Sequence, residues 1–142
     1  MPSLGMLTIN ALTAADSVII PVQAQYLPAK GMTQLLKSID MVRSHTNEQL
    51  KIDGIVMTLV DGRTNLAKDV INAIRTNYGM HIRIFDTQIP SGVKAAEASK
   101  TGRSIFTYDG ECKPAKAYEA LTKEVIADAE RKRKRDKAAI AR

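Results

Sequence analysis

Five residues constrain this chain more than any others: Val18-Ile19-Ile20-Pro21-Val22, a run with no alternation between apolar and polar. A strand with one wet face alternates. A run apolar on both faces predicts a strand covered on both sides, as in a parallel sheet lying between helices. Pro21 has no N–H to give a ladder, which puts it at the strand end or facing a free edge. Such a strand needs neighbours on its flanks.

The rest of the chain supplies neighbours by alternation. Apolar residues at 4, 7, 9, 11 and 12 predict a short helix ahead of the strand. Residues 26–31 read as a loop from Pro28 and Gly31. Met32, Leu35, Leu36, Ile39 and Val42 then recur at helical spacing, to about His45. Residues 51–60 form a second β-rich run, and residues 61–65 give a turn with candidate helix caps. Leu66, Val70, Ile71, Ile74 and Tyr78 make another amphipathic helix, with Gly79 at the place of a left-handed C-terminal residue. Residues 82–86 read as a third strand, with 87–90 as its exit. Strand, helix, strand, helix, strand is two successive βαβ units, hence a parallel sheet in an α/β fold. Functional groups in such sheets lie beyond the C-terminal strand ends, here residues 23–25, 58–61 and 87–92.

After the third strand a short helix is expected over 93–100, then a short apolar stretch over 105–108 and an Asp109-Gly110 turn. A last helix starts near Pro114, which suits a first helical turn, and carries Tyr118, Leu121, Val125 and Ile126. Its apolar stripe stops at Ala129, so its far end is expected to project into solvent.

Charge separates that end from the rest. Residues 131–142 hold seven Lys/Arg and one acid, which accounts for the whole net charge of +6; the remaining basic and acidic residues cancel. We therefore divide the chain into a neutral domain, 1–130, and a basic tail, 131–142. At 142 residues, 44% hydrophobic and 25% charged, the chain has the makings of one domain with a real core. Trp is absent, so that core is aliphatic and filled by Met. No apolar run approaches the roughly 18 residues of a membrane span, and Met1-Pro2-Ser3 does not start a signal peptide. The single Cys112 cannot close an internal disulfide, which suits a reducing, cytoplasmic location.

No complete catalytic constellation stands out. The phosphate-loop pattern G-x-x-x-x-G-K-[ST] and the dinucleotide pattern G-x-G-x-x-G are absent. His45, His81 and Cys112 have no partner at metal-ligand spacing, and no metal role is expected of them. No Ser stands in a G-x-S-x-G elbow.

Several separated motifs do carry a resemblance. Pro2-Ser3-Leu4-Gly5-Met6-Leu7-Thr8-Ile9-Asn10-Ala11-Leu12 and Asp16-Ser17-Val18-Ile19-Ile20-Pro21-Val22-Gln23 resemble the ParA/Soj-type partition ATPases, deviant P-loop ATPases that segregate chromosomes and plasmids. The likeness continues through Gly31-Met32-Thr33-Gln34-Leu35-Leu36, Asp61-Gly62-Arg63-Thr64-Asn65-Leu66 and Ile89-Pro90-Ser91-Gly92-Val93-Lys94-Ala95-Ala96-Glu97-Ala98-Ser99, and ends near Val125. It implies the C-terminal part of a P-loop NTPase fold, a partial parallel sheet with helical crossovers followed by a C-terminal helix. It covers only the second half of the family. The phosphate loop, the catalytic Asp and the Mg²⁺-holding Asp lie ahead of the matching segment, so the chain reads as truncated and unable to hydrolyse ATP alone.

The resemblance also implies roles. Pro2, Ser3 and Gly5 look like the remnant of the switch loop that senses the γ-phosphate. Thr58, Asp61, Ile89, Pro90 and Val93 match segments around the adenine, against the plainer reading that Ile89 and Val93 pack and Pro90 shapes a turn. The intact family uses ATP and Mg²⁺; neither is assigned firmly to this chain. Family members bind DNA non-specifically through basic residues, for which Lys94, Lys100 and Arg103 are candidates. This chain has Ser91-Gly92 where Arg-Asn is common and Lys94 where Arg is common. Arg131, Lys132, Arg133, Lys134 and Arg135 are candidates on physical grounds, as consecutive cations able to neutralise phosphates; the plainer reading is a solvated helix end whose cations suit the dipole. Expected partners are non-specific DNA, a ParB-like centromere-binding protein and an intact ParA-like subunit in a dimer, with nucleoid association following from DNA contact. The MinD-like branch binds membrane by an amphipathic C-terminal helix; with Ile140 the one large apolar residue after Ile126, no membrane contact is expected here. The other reading is a non-enzymatic module that binds DNA or pairs with an intact subunit as a decoy.

Overall fold

β1 (Ser17–Gln23), β2 (Lys51–Val60) and β3 (Ile84–Pro90) form a parallel sheet in the order β1-β2-β3. The structure, a computed structural model, describes residues 5–25 and 29–140, with side chains omitted at 29–30 and 135–140. Helices α1 (Met6–Ala14), α2 (Ala29–His45) and α3 (Asn65–Tyr78) precede or connect the strands. After β3 come α4 (Val93–Lys100), α5 (Ile105–Asp109) and α6 (Lys113–Ile140). The expected α/β architecture, partial parallel sheet and C-terminal helix are all present.

Two layers cover the sheet unequally. On one face Ile20 and Val22 of β1 and Ile55 and Met57 of β2 pack with Leu12 of α1, Met32, Ile39 and Val42 of α2, and Val70 and Ile74 of α3. These are the apolar stripes read at helical spacing, and burying them is what holds short helices in place. On the other face Val56, Phe85 and Ile89 pack with Ala117, Leu121 and Val125 of α6. That helix lies over β2 and β3 and leaves β1 bare.

The β1 run is thus covered on one face, not two. Ile20 and Val22 are buried, whereas Ser17, Pro21 and Gln23 are exposed and Ile19 is 38% exposed. Being at the edge, β1 also has one unpaired flank. The Ala24 N–H donates to the Thr58 carbonyl, so even-numbered residues face β2 and Pro21 faces the free edge. There its missing N–H interrupts no ladder.

Other departures are local. Residues 29–31, read as loop, belong to the first turn of α2; residues 26–28 lie outside the described set. β3 runs on to Pro90, so the expected exit segment is strand. The 105–108 stretch is helical, because Ser104 caps it by accepting from the Phe106 N–H. Gly79 caps α3 in right-handed geometry (φ −64°), not left-handed, and its N–H donates to the Arg75 carbonyl. The Asn47 side chain donates to the Leu12 and Ala15 carbonyls and so satisfies the end of α1. Among the described residues no helix is long and apolar enough to cross a membrane.

Candidate functional site

Strand direction sorts the candidate residues to two ends of the sheet. At the C-terminal ends lie Thr58 and Asp61 after β2, and Ile89, Pro90 and Val93 at the close of β3. Val60 pairs with Pro90, and the Ser91 N–H donates to the Val60 carbonyl, which brings the two segments side by side. Leu59 interrupts the strand with φ at +50°, in the left-handed region, at the register shift between Met57 and Val60. Such backbone in a non-glycine residue costs of order 1–2 kcal/mol. Here it turns Val60 into the core and ends the ladder before Asp61.

The five residues matched to the base side are not equivalent. Ile89 is buried against Val56 and Phe85, whereas Val93 is 74% exposed. The Thr58 hydroxyl donates to the Val22 carbonyl. Asp61 is engaged by its own turn: Arg63 donates through Nε and Nη2, both at 2.9 Å, and through its backbone N–H. The side-chain hydrogen bond from Arg63, then the backbone one, hold the Asp61 carboxyl down to about 2. Thr64 caps α3 by accepting from the Ala67 N–H. Gly5 of the expected switch-loop remnant is the extended N-cap of α1, its carbonyl accepting from Thr8 and Ile9; Pro2 and Ser3 lie outside the described residues. Among the described residues no three His, Cys, Asp or Glu side chains gather as a metal site.

The candidate DNA contacts do not form one surface. Lys94, Lys100 and Arg103 belong to α4 and the turn after it, at the C-terminal end of the sheet. A Cβ on Gly92 would lie 2.7 Å from Pro114 Cγ, which shows how closely the start of α6 approaches this end. From Lys113, α6 runs back along β3, and Lys132 is reached about 28 Å further on at 1.5 Å per residue. The tail therefore emerges at the N-terminal strand ends. Lys94 pairs with Glu97 at 3.3 Å and lies over the Tyr108 ring, so its charge is partly matched. Lys100 and Arg103 are exposed and make no ion pair among the described residues.

The tail is not detached. Helix α6 continues without a break through residues 131–140, across the expected boundary at 130. The Lys132 ammonium meets Asp53 Oδ1 at 2.7 Å, and the Ser17 hydroxyl donates to Asp53 Oδ2 at 2.5 Å. Burial pushes the Asp53 carboxyl up, but the bonds from Lys132 and Ser17 and the charges of Lys132 and Lys51 outweigh it, leaving it below its ordinary value. One and two turns earlier on α6, Asp128 and Glu124 both pair with Arg83, which lies 5.1 Å over the Phe85 ring. Glu124 also accepts the Asp86 and Thr87 N–H groups along β3. Arg131, Lys132, Arg133 and Lys134 are exposed, as expected, but the helix that carries them is fastened to the body. Reading the sequence missed Ser17, Lys51, Asp53, Arg83 and Glu124. One signal was available: Glu124 and Asp128 flank Val125 on the stripe that buries Leu121.

Comparison with known proteins identifies the lineage. A family model described as "AAA domain" matches residues 1–52. The sporulation initiation inhibitor protein Soj of Bacillus subtilis is 43% identical over 127 residues, which cover 89% of this chain and 49% of that protein. The chromosome partitioning protein ParA of Caulobacter vibrioides (strain NA1000 / CB15N) is 39% identical over 140 residues, 99% of this chain and 50% of that one. The chain belongs to the ParA/Soj-type family. It spans about half the length of the curated relatives it matches. Among solved structures, cobyrinic acid a,c-diamide synthase from Mycobacterium smegmatis with bound ATP analog and magnesium superimposes with a TM-score of 0.64 at 36% identity, over 82% of this chain and 41% of that one. The same enzyme with bound ADP and magnesium gives a TM-score of 0.58 at 34% identity, over 72% and 46%. The ParA/Soj-like sheet described here is thus part of a P-loop NTPase fold.

Proposed function

We propose that this chain serves ATP-dependent DNA partitioning, of a chromosome or a plasmid, as a ParA/Soj-like protein. What supports this most is the 39–43% identity to partition proteins that runs through 89–99% of the chain. On this reading residues 1–130 are the C-terminal portion of the ATPase domain and 131–142 a basic tail. Thr58, Asp61, Ile89, Pro90 and Val93 belong to the base side of the ATP site, and Pro2, Ser3 and Gly5 to the switch loop. Phosphoryl transfer relies on positioned cations and a water- or base-orienting group. The 142 residues contain no phosphate loop, so the polypeptide by itself does not turn over ATP or hold Mg²⁺.

DNA is the partner on the cationic side, engaged without regard to sequence by Lys94, Lys100 and Arg103 and by the residues from Arg131 to Arg135. A ParB-like protein and an intact ParA-like subunit are the protein partners, and the setting is the cytoplasm and the nucleoid. Phosphate release into solution by the purified chain, measured with and without DNA, is expected to stay at the blank. Turnover that survives further purification and vanishes on heat inactivation of the chain would overturn the inactivity. Binding to random duplex DNA is expected to weaken steeply with salt; salt-independent binding, or none at low salt, would overturn the DNA contact.

The open flank of β1 favours a second reading, a non-enzymatic decoy that joins an intact ParA-like subunit. Co-purification of the chain with a tagged intact subunit is its test; failure to co-purify with or without ATP would dismiss it.

A further inference from the structure

Where the tail returns to the body, α6 and the N-terminal strand ends enclose an open cleft of about 630 Å³. Lys51 at the start of β2 lines it with Lys132 and Arg133 of α6, and Ser17, Asn47 and Gln49 add neutral polar groups. Asp16 and Asp53 lie there too. Asp53 is already matched by Lys132 and Ser17, and Lys51 adds its charge to the same carboxyl. Lys51 and Arg133 are exposed, so two cations face solvent across a gap while a third is held by an internal carboxylate.

We propose that this cleft seats a backbone phosphate of duplex DNA, with Lys51 a DNA contact in its own right and Asp53 an internal competitor for Lys132. The inference rests on the DNA contact of the tail proposed above and extends it to a residue outside the tail. A phosphodiester between Lys51 and Arg133 meets positive charge from two elements. The tail then reads no bases, since contacts to phosphate fix position and not sequence. A DNA phosphate takes the place of the Asp53 carboxylate as the acceptor for Lys132. That exchange adds a released counterion without any change of fold.

The experiment is a salt titration of binding to a random-sequence duplex, read by fluorescence anisotropy. Each neutralised phosphate contributes about −0.9 to the slope of log K against log salt. Lys51→Ala is expected to flatten the slope by about 0.9 and Lys51→Arg to restore it. Asp53→Asn, which removes the competing carboxylate, is expected to tighten binding with the slope unchanged, since Lys132 meets a phosphate in both proteins. Lys68→Ala, on the exposed side of α3, is the control and should match the wild type. Unchanged slope and affinity in Lys51→Ala, with the wild type binding normally, overturn the cleft and leave the tail contact standing. Weaker binding by Asp53→Asn with an unchanged circular dichroism spectrum overturns the competitor. Absence of wild-type binding at low salt overturns the DNA contact itself and the cleft with it.

Discussion

Gly54 sits in the middle of β2 with Phe85 of the neighbouring strand lying across it. A Cβ there would come within 2.9 Å of Phe85 Cε2 and 3.0 Å of the Arg83 carbonyl. The ring has room to tilt only at the expense of its packing on α6, and the carbonyl is fixed because it accepts the Ile55 N–H at 2.8 Å. Gly54→Ala is therefore expected to destabilise the fold by about 1–3 kcal/mol, the usual cost of overpacking, seen as a lower denaturant midpoint. An unchanged midpoint would mean the strands separate more easily than their hydrogen bonds imply. Asp61 offers a second check at this scale. Its carboxyl is lowered from 3.8 to about 2 by Arg63. A depressed folded value means the contact is complete above 3.8 and is lost as pH falls through about 2. Carbon NMR titration of the Asp61 carboxyl should find that midpoint, and Arg63→Ala should return it towards the ordinary value.

Among the elements, α6 shows how much a helix depends on groups other than its apolar stripe. Ala117, Leu121 and Val125 bury it, but its last contacts with the sheet are ionic: Glu124 and Asp128 with Arg83, then Lys132 with Asp53. Burial pushes Glu124 up, and the Asp86 and Thr87 N–H groups with Arg83 outweigh it, so the net shift is downward. The sign follows: the stabilisation is full above 4.5 and declines as pH falls through the lowered value. Thermal melts between neutral pH and the acid range should show the wild type losing stability there, and Glu124→Gln losing less of it. At neutral pH Glu124→Gln should be less stable by about 1–3 kcal/mol, because it weakens a charge-assisted acceptor shared by Arg83, Asp86 and Thr87. Equal acid sensitivity of the two proteins would assign the pH dependence to other carboxylates.

For the molecule as a whole, the decisive feature is asymmetry of cover. One face of the sheet is roofed by α1, α2 and α3; the other is roofed by α6 over β2 and β3 alone, so β1 is open on a face and along an edge. An open strand edge is a template for pairing, and Pro21 removes only one outward donor. Hydrogen exchange should report the geometry residue by residue: slow for Ile20 and Val22, whose N–H groups face β2, and fast for Ile19 and Gln23, whose N–H groups face outward. Protection of Ile19 and Gln23 in a sample that sediments as a monomer would show that another part of the chain has covered the edge. The two cationic surfaces, one on α4 and the turn after it and the other on the far end of α6, are a second whole-molecule property. They divide the DNA candidates into contacts that a single phosphate cluster cannot join.

Periodicity is a local property, and what depended on it was legible in the chain. The stripes from Met32 to Val42 and from Leu66 to Tyr78, and the β-rich run of residues 51–60, placed α2, α3 and β2, and their alternation implied the parallel sheet. The motif likeness brought Thr58, Asp61 and Pro90 to one end of it, because parallel strands send all their C-terminal ends the same way. What the tertiary structure alone decided concerns contacts between segments far apart in sequence. No local pattern in Val18–Val22 reports that α6 stops short of β1. None in the basic run reports that Lys132 meets Asp53, 79 residues away. The same apolar run serves a strand covered on both faces or on one; only the placement of the covering helix chooses between them. That placement follows from where Ala117, Leu121 and Val125 meet Val56, Phe85 and Ile89, with Glu124 and Asp128 pairing Arg83 beside them.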